Sequence, residues 1–473
     1  MRNKQTKIIG TLAVGKCDSD FIAQLVENGM DIVRLNTAHL SIQDSEKIIA
    51  NIRAVSDRVG VLLDTKGPEV RTCNLTGTLL LKTGDKVEIG VSRVPENGFQ
   101  VSYSGFVDEV PVGSRILVDD GLIALAVEKK TGDTLVCTAL NDGEIKNKKG
   151  VNVPDVKLDL PALTEKDAEF IDWATRNDVD FIAHSFVRCR EDILSIQGIL
   201  DLRRSPIKII AKIENREGVD NLESILDVAH GIMVARGDLG IEIPAEEVPG
   251  VQKQMIMACV RRAKPVITAT QMMQSMIDNP RPTRAEVSDV ANAIYDGTDA
   301  IMLSGETAYG KFPVEAVQMM SKIAKTVESQ KESLLDVIPV HQQKQEVMPR
   351  NHLAKAAVSC AAALPVKAII TSTQAGETAR ICASYRSKVP ILALSDCMST
   401  VRQLSLSYGV YPAHIEATQT TDDELVKVCL RKMLDEKRIE MNDLIVFIGG
   451  GHKDTSQHTN MIQIETPAML LKQ

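Results

Sequence analysis

The sequence predicts a mixed α/β chain: a (β/α)8 barrel of the TIM type, an inserted all-β lid domain, and a C-terminal open-sheet α/β domain. Three observations predict it. Short apolar, β-branched runs alternate with longer helical stretches over most of the 473 residues. Eight such runs come first, and six of the seven gaps between their starts are about one βα unit long, roughly 30 residues. The remaining gap, the third, from Val61 to Asp180, is far longer and full of turn signals, and a further βα series resumes after a polar break.

Taken in order, the barrel strands are expected at Lys7–Leu12, Asp31–Leu35, Val61–Asp64, Asp180–Ser185, Lys208–Ile213, Gly231–Ala235, Pro265–Thr270 and Ala300–Leu303. Each is nearly continuous Val, Ile, Leu and Ala, as strands covered on both faces require. The barrel therefore takes residues 1–66 and 155–335. Residues 67–154 form the insertion, with turns at Thr83-Gly84-Asp85, Glu96-Asn97-Gly98, Asp119-Asp120-Gly121 and Thr131-Gly132-Asp133. Alternating runs at Arg115–Val118, Ile123–Val127 and Leu135–Ala139 read as its strands. Because it leaves the end of the third barrel strand, it is expected to act as a lid over the barrel mouth. A polar stretch around Lys331–Arg350, including Gln342–Glu346, reads as a linker. Residues 350–473 then form the last domain, with strands at Ala368–Thr371, Pro390–Leu394 and Asp443–Ile448 and a helix at Asp422–Glu436.

Composition excludes several functions. Lys and Arg number 55 against 63 Asp and Glu, a net charge of −8. That balance opposes a nucleic-acid footprint or an anionic membrane surface. Aromatics are 3%, too few for a stacking surface. No apolar run approaches the roughly 18 residues that cross a bilayer, and the basic start Met1–Lys7 precedes too short an apolar run for a signal peptide. Nine scattered cysteines with no Cys-x-x-Cys suit reduced thiols, so a cytoplasmic location is expected.

The chemistry is expected where the barrel strands end. Past seven strands lie Arg34 and Asn36, Asp64-Thr65-Lys66, Ser185-Phe186-Val187-Arg188, Lys212-Ile213-Glu214, Arg236-Gly237-Asp238, Thr270-Gln271 and Ser304-Gly305-Glu306. Any one charge there is ordinary solvation of a strand end. Both signs at nearly every end point instead to an active site at the C-terminal rim. Glu214 and Asp238 follow adjacent strands, so they can share a hard divalent cation with substrate oxygens and water. Arg34, Arg71 and Lys212 add fixed positive charge, which a reaction joining two anions needs. Each like-charge pair at 4 Å otherwise costs about 4 kcal/mol at an effective dielectric of 20. A Lys-x-Glu pair on a strand also has a plainer reading as a buried ion pair. Thr270 and Ser304 offer hydroxyls that can bind phosphate, relay a proton or merely cap their strands, and Glu306 can orient Ser304. Asn36, Asp64 and Thr65 offer oxygens for a second, softer-bound cation.

Four segments carry a family resemblance. Asn279-Pro280-Arg281-Pro282-Thr283-Arg284-Ala285-Glu286, Asp64-Thr65-Lys66-Gly67-Pro68-Glu69-Val70-Arg71, Lys212-Ile213-Glu214-Asn215 and Met302-Leu303-Ser304-Gly305-Glu306-Thr307-Ala308 resemble the pyruvate kinases. The likeness runs in order along the whole chain, to the form without a further C-terminal extension. It implies phosphoryl transfer from phosphoenolpyruvate to ADP, giving pyruvate and ATP in glycolysis, with Mg2+ (or Mn2+) and K+ as cofactors. By position it implies that Lys212 stabilises the transferring group, Arg34 binds phosphate, Thr270 contacts substrate, and Glu214 and Asp238 hold Mg2+. It places the substrate carboxylate at the backbone of Ala235, Arg236, Gly237 and Asp238. Asn36, His39 and Arg71 fall to the nucleotide, and Asn36, Asp64 and Thr65 to K+. Either Thr270 or a water relayed through Ser304 and Glu306 protonates the enolpyruvate. A homotetramer is implied as well.

Two departures from the family stand out. The family's Arg-Leu-Asn-Phe-Ser-His reads Arg34-Leu35-Asn36-Thr37-Ala38-His39 here, so Ala38 lacks a ligand hydroxyl and a weakened K+ requirement is expected. Thr371, Ser372, Thr373 and Thr378 lie where the family cradles a sugar-phosphate or nucleotide effector, but Glu377 sits among them and would repel phosphate. These threonines equally suit a turn that caps its own helix. Two rivals share parts of the pattern. A Mg2+-dependent carbon–carbon lyase on the same barrel would need no ADP. A degenerate metabolite sensor would not need the intact Lys212, Glu214, Asp238 and Thr270.

Overall fold

Strands that are apolar on both faces need covering on both, and a closed barrel wrapped in helices supplies that. In the computed structural model, which describes residues 4–340, 348–416, 422–450 and 459–472, eight parallel strands close in chain order. They are Lys7–Leu12, Ile32–Asn36, Gly60–Asp64, Phe181–His184, Lys208–Ile213, Gly231–Ala235, Val266–Ala269 and Ala300–Leu303. Their inward residues, among them Ile9, Ile32, Leu62, Phe181, Ile210 and Met233, fill the interior. Outward residues such as Ile8, Val33, Leu63 and Ile182 pack under the helices. The register pairs Asn36 with Asp64 and Asp64 with Ala183, which brings neighbouring strand ends to one rim. The expected Met1–Asn3 start and the Gln342–Glu346 run lie outside the described residues.

The helices start where their sequences provide caps. Ser41 with Asp44, Thr164 with Asp167 and Thr283 with Glu286 each form a reciprocal capping box. Asp167 does more than cap: its buried carboxylate also accepts the Lys66 and Gly67 N–H groups at 2.9 and 3.2 Å. The start of the insertion is thereby tied to the barrel's helix layer.

The insertion is a seven-stranded sheet with a separate two-stranded one, and one short helix at Phe106–Glu109. Val87, Ile89, Phe99, Leu125 and Leu135 give it a core of its own. Past the barrel, a five-stranded sheet has the order Val410–His414, Ile391–Ser395, Ala368–Ser372, Ile445–Gly449, Met461–Glu465. The first four strands are parallel and the last is antiparallel. The sequence reading had three of these strands; the two it lacked are the edges.

This last domain is bolted to the barrel's base. Leu406 completes the interior barrel cluster from below. Arg386 and Asp299 form a buried ion pair at 2.7 Å, and Arg402 reaches the buried Asp180 at 2.7 Å. Among the described residues no helix is long and apolar enough to cross a membrane.

Candidate active site

The end of the fifth barrel strand sets the centre of the site. Lys212 is the last inward residue before the rim, and Glu214 follows the strand. The Lys212 Nζ lies 3.1 Å from Glu214 Oε1, 3.1 Å from Asp64 Oδ1 and 2.7 Å from Ser185 Oγ. Arg34 Nε meets the other Asp64 oxygen at 2.6 Å, and its Nη1 donates to Thr11 Oγ1 at 3.1 Å. Five strands thus contribute to one cluster. Ser185 and Thr11 belong to it although the sequence reading gave neither a role: Ser185 donates to the Thr65 carbonyl at 2.6 Å, and Thr11 to the Leu303 carbonyl at 2.9 Å.

The electrostatics follow from this packing. Burial opposes charge on Asp64, but Arg34 and Lys212 beside it hold its carboxyl below the usual range. Burial would likewise depress the Lys212 ammonium, yet Asp64 and Glu214 hold it above its ordinary value. Glu214 behaves oppositely: burial pushes it up to about 7, with Lys212 pulling down and Asp238 adding to the rise. Burial also raises Asp238. Asp64 lies against two cations, whereas Glu214 and Asp238 have only Lys212, which they share with Asp64. Glu214 and Asp238 are therefore carboxylates short of positive charge, and an oxygen-only pair of that kind fits a hard divalent cation. Among the described residues no three His, Cys, Asp or Glu side chains surround one point. A metal held by this pair would complete its shell with water and substrate oxygens.

Backbone strain gathers at the same rim. Phe186, Thr270 and Gln271 adopt φ values of 55°, 68° and 54°, a region that non-glycine residues seldom occupy. The turn at Phe186 aims its N–H at Glu214 Oε2, 2.6 Å away. The turn at Thr270 sets its hydroxyl 2.7 Å from the Gly237 N–H, which donates to it, while the hydroxyl donates to the Ala269 carbonyl at 2.6 Å.

Other predicted residues take different positions from those their sequence neighbours suggested. The Arg236 guanidinium turns away to Asp289 at 2.6 Å and to the Thr270 carbonyl at 2.7 Å, so the Ala235–Asp238 segment offers a ligand its backbone. Glu306 does not orient the Ser304 hydroxyl. Its buried carboxylate accepts the Ser304 N–H at 2.7 Å and the Met273 N–H at 3.2 Å, fastening two rim loops together. Asn36 accepts the Ala38 N–H at 3.1 Å, and Thr65 Oγ1 accepts the Ser185 N–H at 3.0 Å. With Asp64 these residues lie at adjacent strand ends, and Ala38 has no side-chain oxygen to add. His39 is exposed.

Above the rim lies a cleft of about 640 Å3. Arg71, Asp120 and Lys149 line it from the insertion, and Phe186, Asp238 and Glu242 from the barrel. Arg71 is held by Glu69 at 2.7 Å and by the Lys148 carbonyl at 2.8 Å. Asn152 ties the insertion to Glu242 at 2.7 Å. The size is that of a pocket for a small organic ligand.

At the far domain, the Thr371–Thr378 loop uses its own hydroxyls. Thr373 Oγ1 accepts the Gly376 N–H at 3.0 Å, Thr378 bonds Thr459 at 2.8 Å, and Thr371 lies 3.3 Å from the Ser372 carbonyl. Glu377 is neutralised by Arg350 at 2.6 Å. The helix Glu377–Ser384 that follows has no side-chain cap, so only Thr373 serves the turn itself.

Comparison with known proteins agrees across the chain. Residues 3–317 match the family model described as pyruvate kinase, barrel domain, and residues 351–465 the one described as pyruvate kinase, alpha/beta domain. The chain is 46% identical over 469 residues to the pyruvate kinase of Borreliella burgdorferi, covering 98% of each. It is 45% identical to that of Geobacillus stearothermophilus, covering 99% of this chain and 81% of the relative. The Staphylococcus aureus pyruvate kinase is 44% identical, with 98% and 80% covered.

Proposed function

The chain belongs to the pyruvate kinase family, and from that premise we propose a division of labour among its rim residues. The reaction is transfer of the phosphoryl group of phosphoenolpyruvate to ADP, giving pyruvate and ATP. The family generally uses Mg2+ and K+. The observation that carries the residue assignment is the Arg34–Asp64–Lys212–Glu214 chain of contacts, which fixes two cations at one buried point.

In this reading Arg34 and Lys212 receive the phosphoryl group. Their charges offset the repulsion between the two anionic substrates, and because Asp64 already holds both in place, little reorganisation accompanies the reaction. Lys212 stabilises the group in flight. Glu214 and Asp238 hold the divalent cation, which supplies charge neutralisation when bound. The backbone at Ala235–Asp238, backed by the strained turn at Thr270, seats the substrate carboxylate. Thr270 is the nearer proton donor to the enolpyruvate, because Glu306 is committed to backbone N–H groups and cannot relay through the Ser304 hydroxyl. Arg71, in the cleft beneath the insertion, serves the nucleotide together with Asn36 and His39. A cytoplasmic location, a homotetramer and a sugar-phosphate or nucleotide effector at Thr371, Ser372, Thr373 and Thr378 complete the proposal.

Asn36, Asp64 and Thr65 would hold K+, with water in the place of the oxygen that Ala38 lacks. A lactate dehydrogenase-coupled assay tests both levels. Pyruvate should form from phosphoenolpyruvate when ADP and Mg2+ are present and fail to form when either is omitted. Adding K+ should raise the rate, with a weaker requirement than a serine at position 38 would give. Pyruvate release without ADP would indicate a lyase. Full activity in buffer free of potassium and ammonium would remove K+ from these three residues.

A further inference from the structure

The loop that follows the fourth barrel strand, Ser185 to Arg188, meets both the catalytic cluster and the two points where the chain enters and leaves the insertion. On the barrel side, Ser185 Oγ accepts from Lys212 at 2.7 Å and the Phe186 N–H donates to Glu214 Oε2 at 2.6 Å. The Val187 N–H donates to the Lys212 carbonyl at 3.3 Å. On the other side, Ser185 and Phe186 lie against Gly67, where the chain enters the insertion. The fit is so close that a Cβ at Gly67 would come within 2.8 Å of both the Phe186 ring and the Ser185 Cβ. Arg188 holds the exit: its Nη1 donates to the Leu160 carbonyl at 2.9 Å and to the Leu158 carbonyl at 3.3 Å.

Arg188 is itself gripped. The buried Asp192 accepts its backbone N–H at 2.9 Å and its Nε and Nη2 at 3.2 and 3.1 Å, and Asn221 donates to its carbonyl at 2.9 Å. The guanidinium plane is thereby fixed, and its remaining edge faces two carbonyls, an arrangement that a lysine cannot copy. Phe186 carries the strain of the loop at φ 55°. Such a conformation persists where the surroundings over-determine it. Here Gly67 bounds the ring and Glu214 holds the N–H. A shift at either crossing therefore reaches the one backbone donor that supports Glu214 Oε2.

We propose that this loop couples the insertion to the divalent-cation site, with Arg188 as its positioning residue: by fixing the exit crossing, Arg188 sets the loop whose Phe186 N–H orients Glu214. The proposal rests on Glu214 and Asp238 being the cation pair. The partners that orient a metal-binding carboxylate tune the affinity of its site, and by linkage the cation in turn favours one position of the insertion. Arg188 needs to touch neither the cation nor a substrate. Through-space charge makes the opposite prediction. Arg188 lines the same cleft as Asp238, so deleting its charge alone would tighten a divalent cation, whereas loosening the loop weakens it.

The test is Mn2+ binding to the full chain, followed by electron paramagnetic resonance with no substrate present. The parent should bind Mn2+ and Glu214→Gln should lose that binding, which checks the cation site itself. Arg188→Met should then bind about fivefold more weakly or worse. Arg188→Lys keeps a cation for Asp192 and so guards against a Met variant that fails to fold; it should bind about threefold more weakly or worse. Lys157→Ala breaks the Lys157–Glu217 pair at 2.8 Å on the same crossing without touching the loop. Its Mn2+ affinity should stay within about twofold of the parent. In the coupled assay the Arg188 variants should need more Mn2+ for half-maximal rate, while kcat at saturating Mn2+ falls by less than about threefold. Unchanged or tighter Mn2+ binding by the folded Arg188 variants, with binding still lost in Glu214→Gln, would overturn the proposal and leave the cation site standing. So would a weakening just as large in Lys157→Ala. A parent that binds no Mn2+, or whose binding ignores Glu214→Gln, would remove the cation pair and the proposal with it.

Discussion

Replacing Lys212 by Met is expected to cut kcat by about 10²–10³ or more, equivalent to about 3–4 kcal/mol of transition-state stabilisation. Methionine keeps the length and apolar stem of the side chain and removes the charge. The contacts of Lys212 explain both the size of the loss and why the protein should survive it. The ammonium faces Asp64, Glu214 and Ser185 at once, so no neighbouring cation can slide into its place. Asp64 keeps Arg34 at 2.6 Å, and Glu214 keeps the Phe186 N–H at 2.6 Å, so neither carboxylate is abandoned altogether. Some stability will still be lost, because removing one member of a buried charge cluster is seldom free. Turnover should therefore be expressed per folded molecule, with circular dichroism as the check. A folded variant within tenfold of the parent rate would take Lys212 out of the chemistry.

Arg386→Ala should produce the largest loss of stability of any single change at the interface between the barrel and the last domain. Arg386 and Asp299 are 3% exposed each. The guanidinium also donates twice to the Gly297 carbonyl, at 2.9 and 2.7 Å, and once to Ala383 at 2.9 Å. Asp299 in turn accepts the Val266 and Tyr408 N–H groups, so one carboxylate joins the seventh barrel strand to the C-terminal domain. Truncation leaves that carboxylate buried without its cation, at a cost of about 3–5 kcal/mol. Urea or thermal unfolding should show the loss chiefly in the transition that separates the two domains. A change below about 1 kcal/mol would mean that water solvates Asp299 as well as the arginine does.

The barrel was legible because its strands are buried on both faces. Lys7–Leu12, Lys208–Ile213, Gly231–Ala235 and Ala300–Leu303 begin and end where the apolar runs do. The two strands that went unseen are the edges of the last sheet. Val410–His414 contains Pro412, which an edge tolerates and a central strand does not, and Met461–Glu465 is only half-buried along its length. Neither makes the continuous apolar signal on which the reading depended.

At the site, the residue types were visible and their pairings were not. A charge after each strand can be counted from sequence, but the choice of partner depends on the angle at which each side chain crosses the barrel mouth. Asp64 reads as a cation ligand, and that Arg34 and Lys212 are its partners emerges only in the fold. Arg236 enters the reading through its backbone, and the partner of its guanidinium, Asp289, comes from a helix more than fifty residues later. Glu306 reads as a partner for a hydroxyl and is captured by two N–H groups. Ser185 was in view among the strand ends, yet only its place beneath Lys212 gives it a role.

A crystal of the protein grown with Mn2+ and phosphoenolpyruvate, with data collected at the manganese absorption edge, would examine the heart of this account. An anomalous peak is expected between the Glu214 and Asp238 carboxylates, with a phosphate oxygen in reach of Lys212 and Arg34. A metal bound elsewhere, or a phosphate seated away from those two cations, would contradict it.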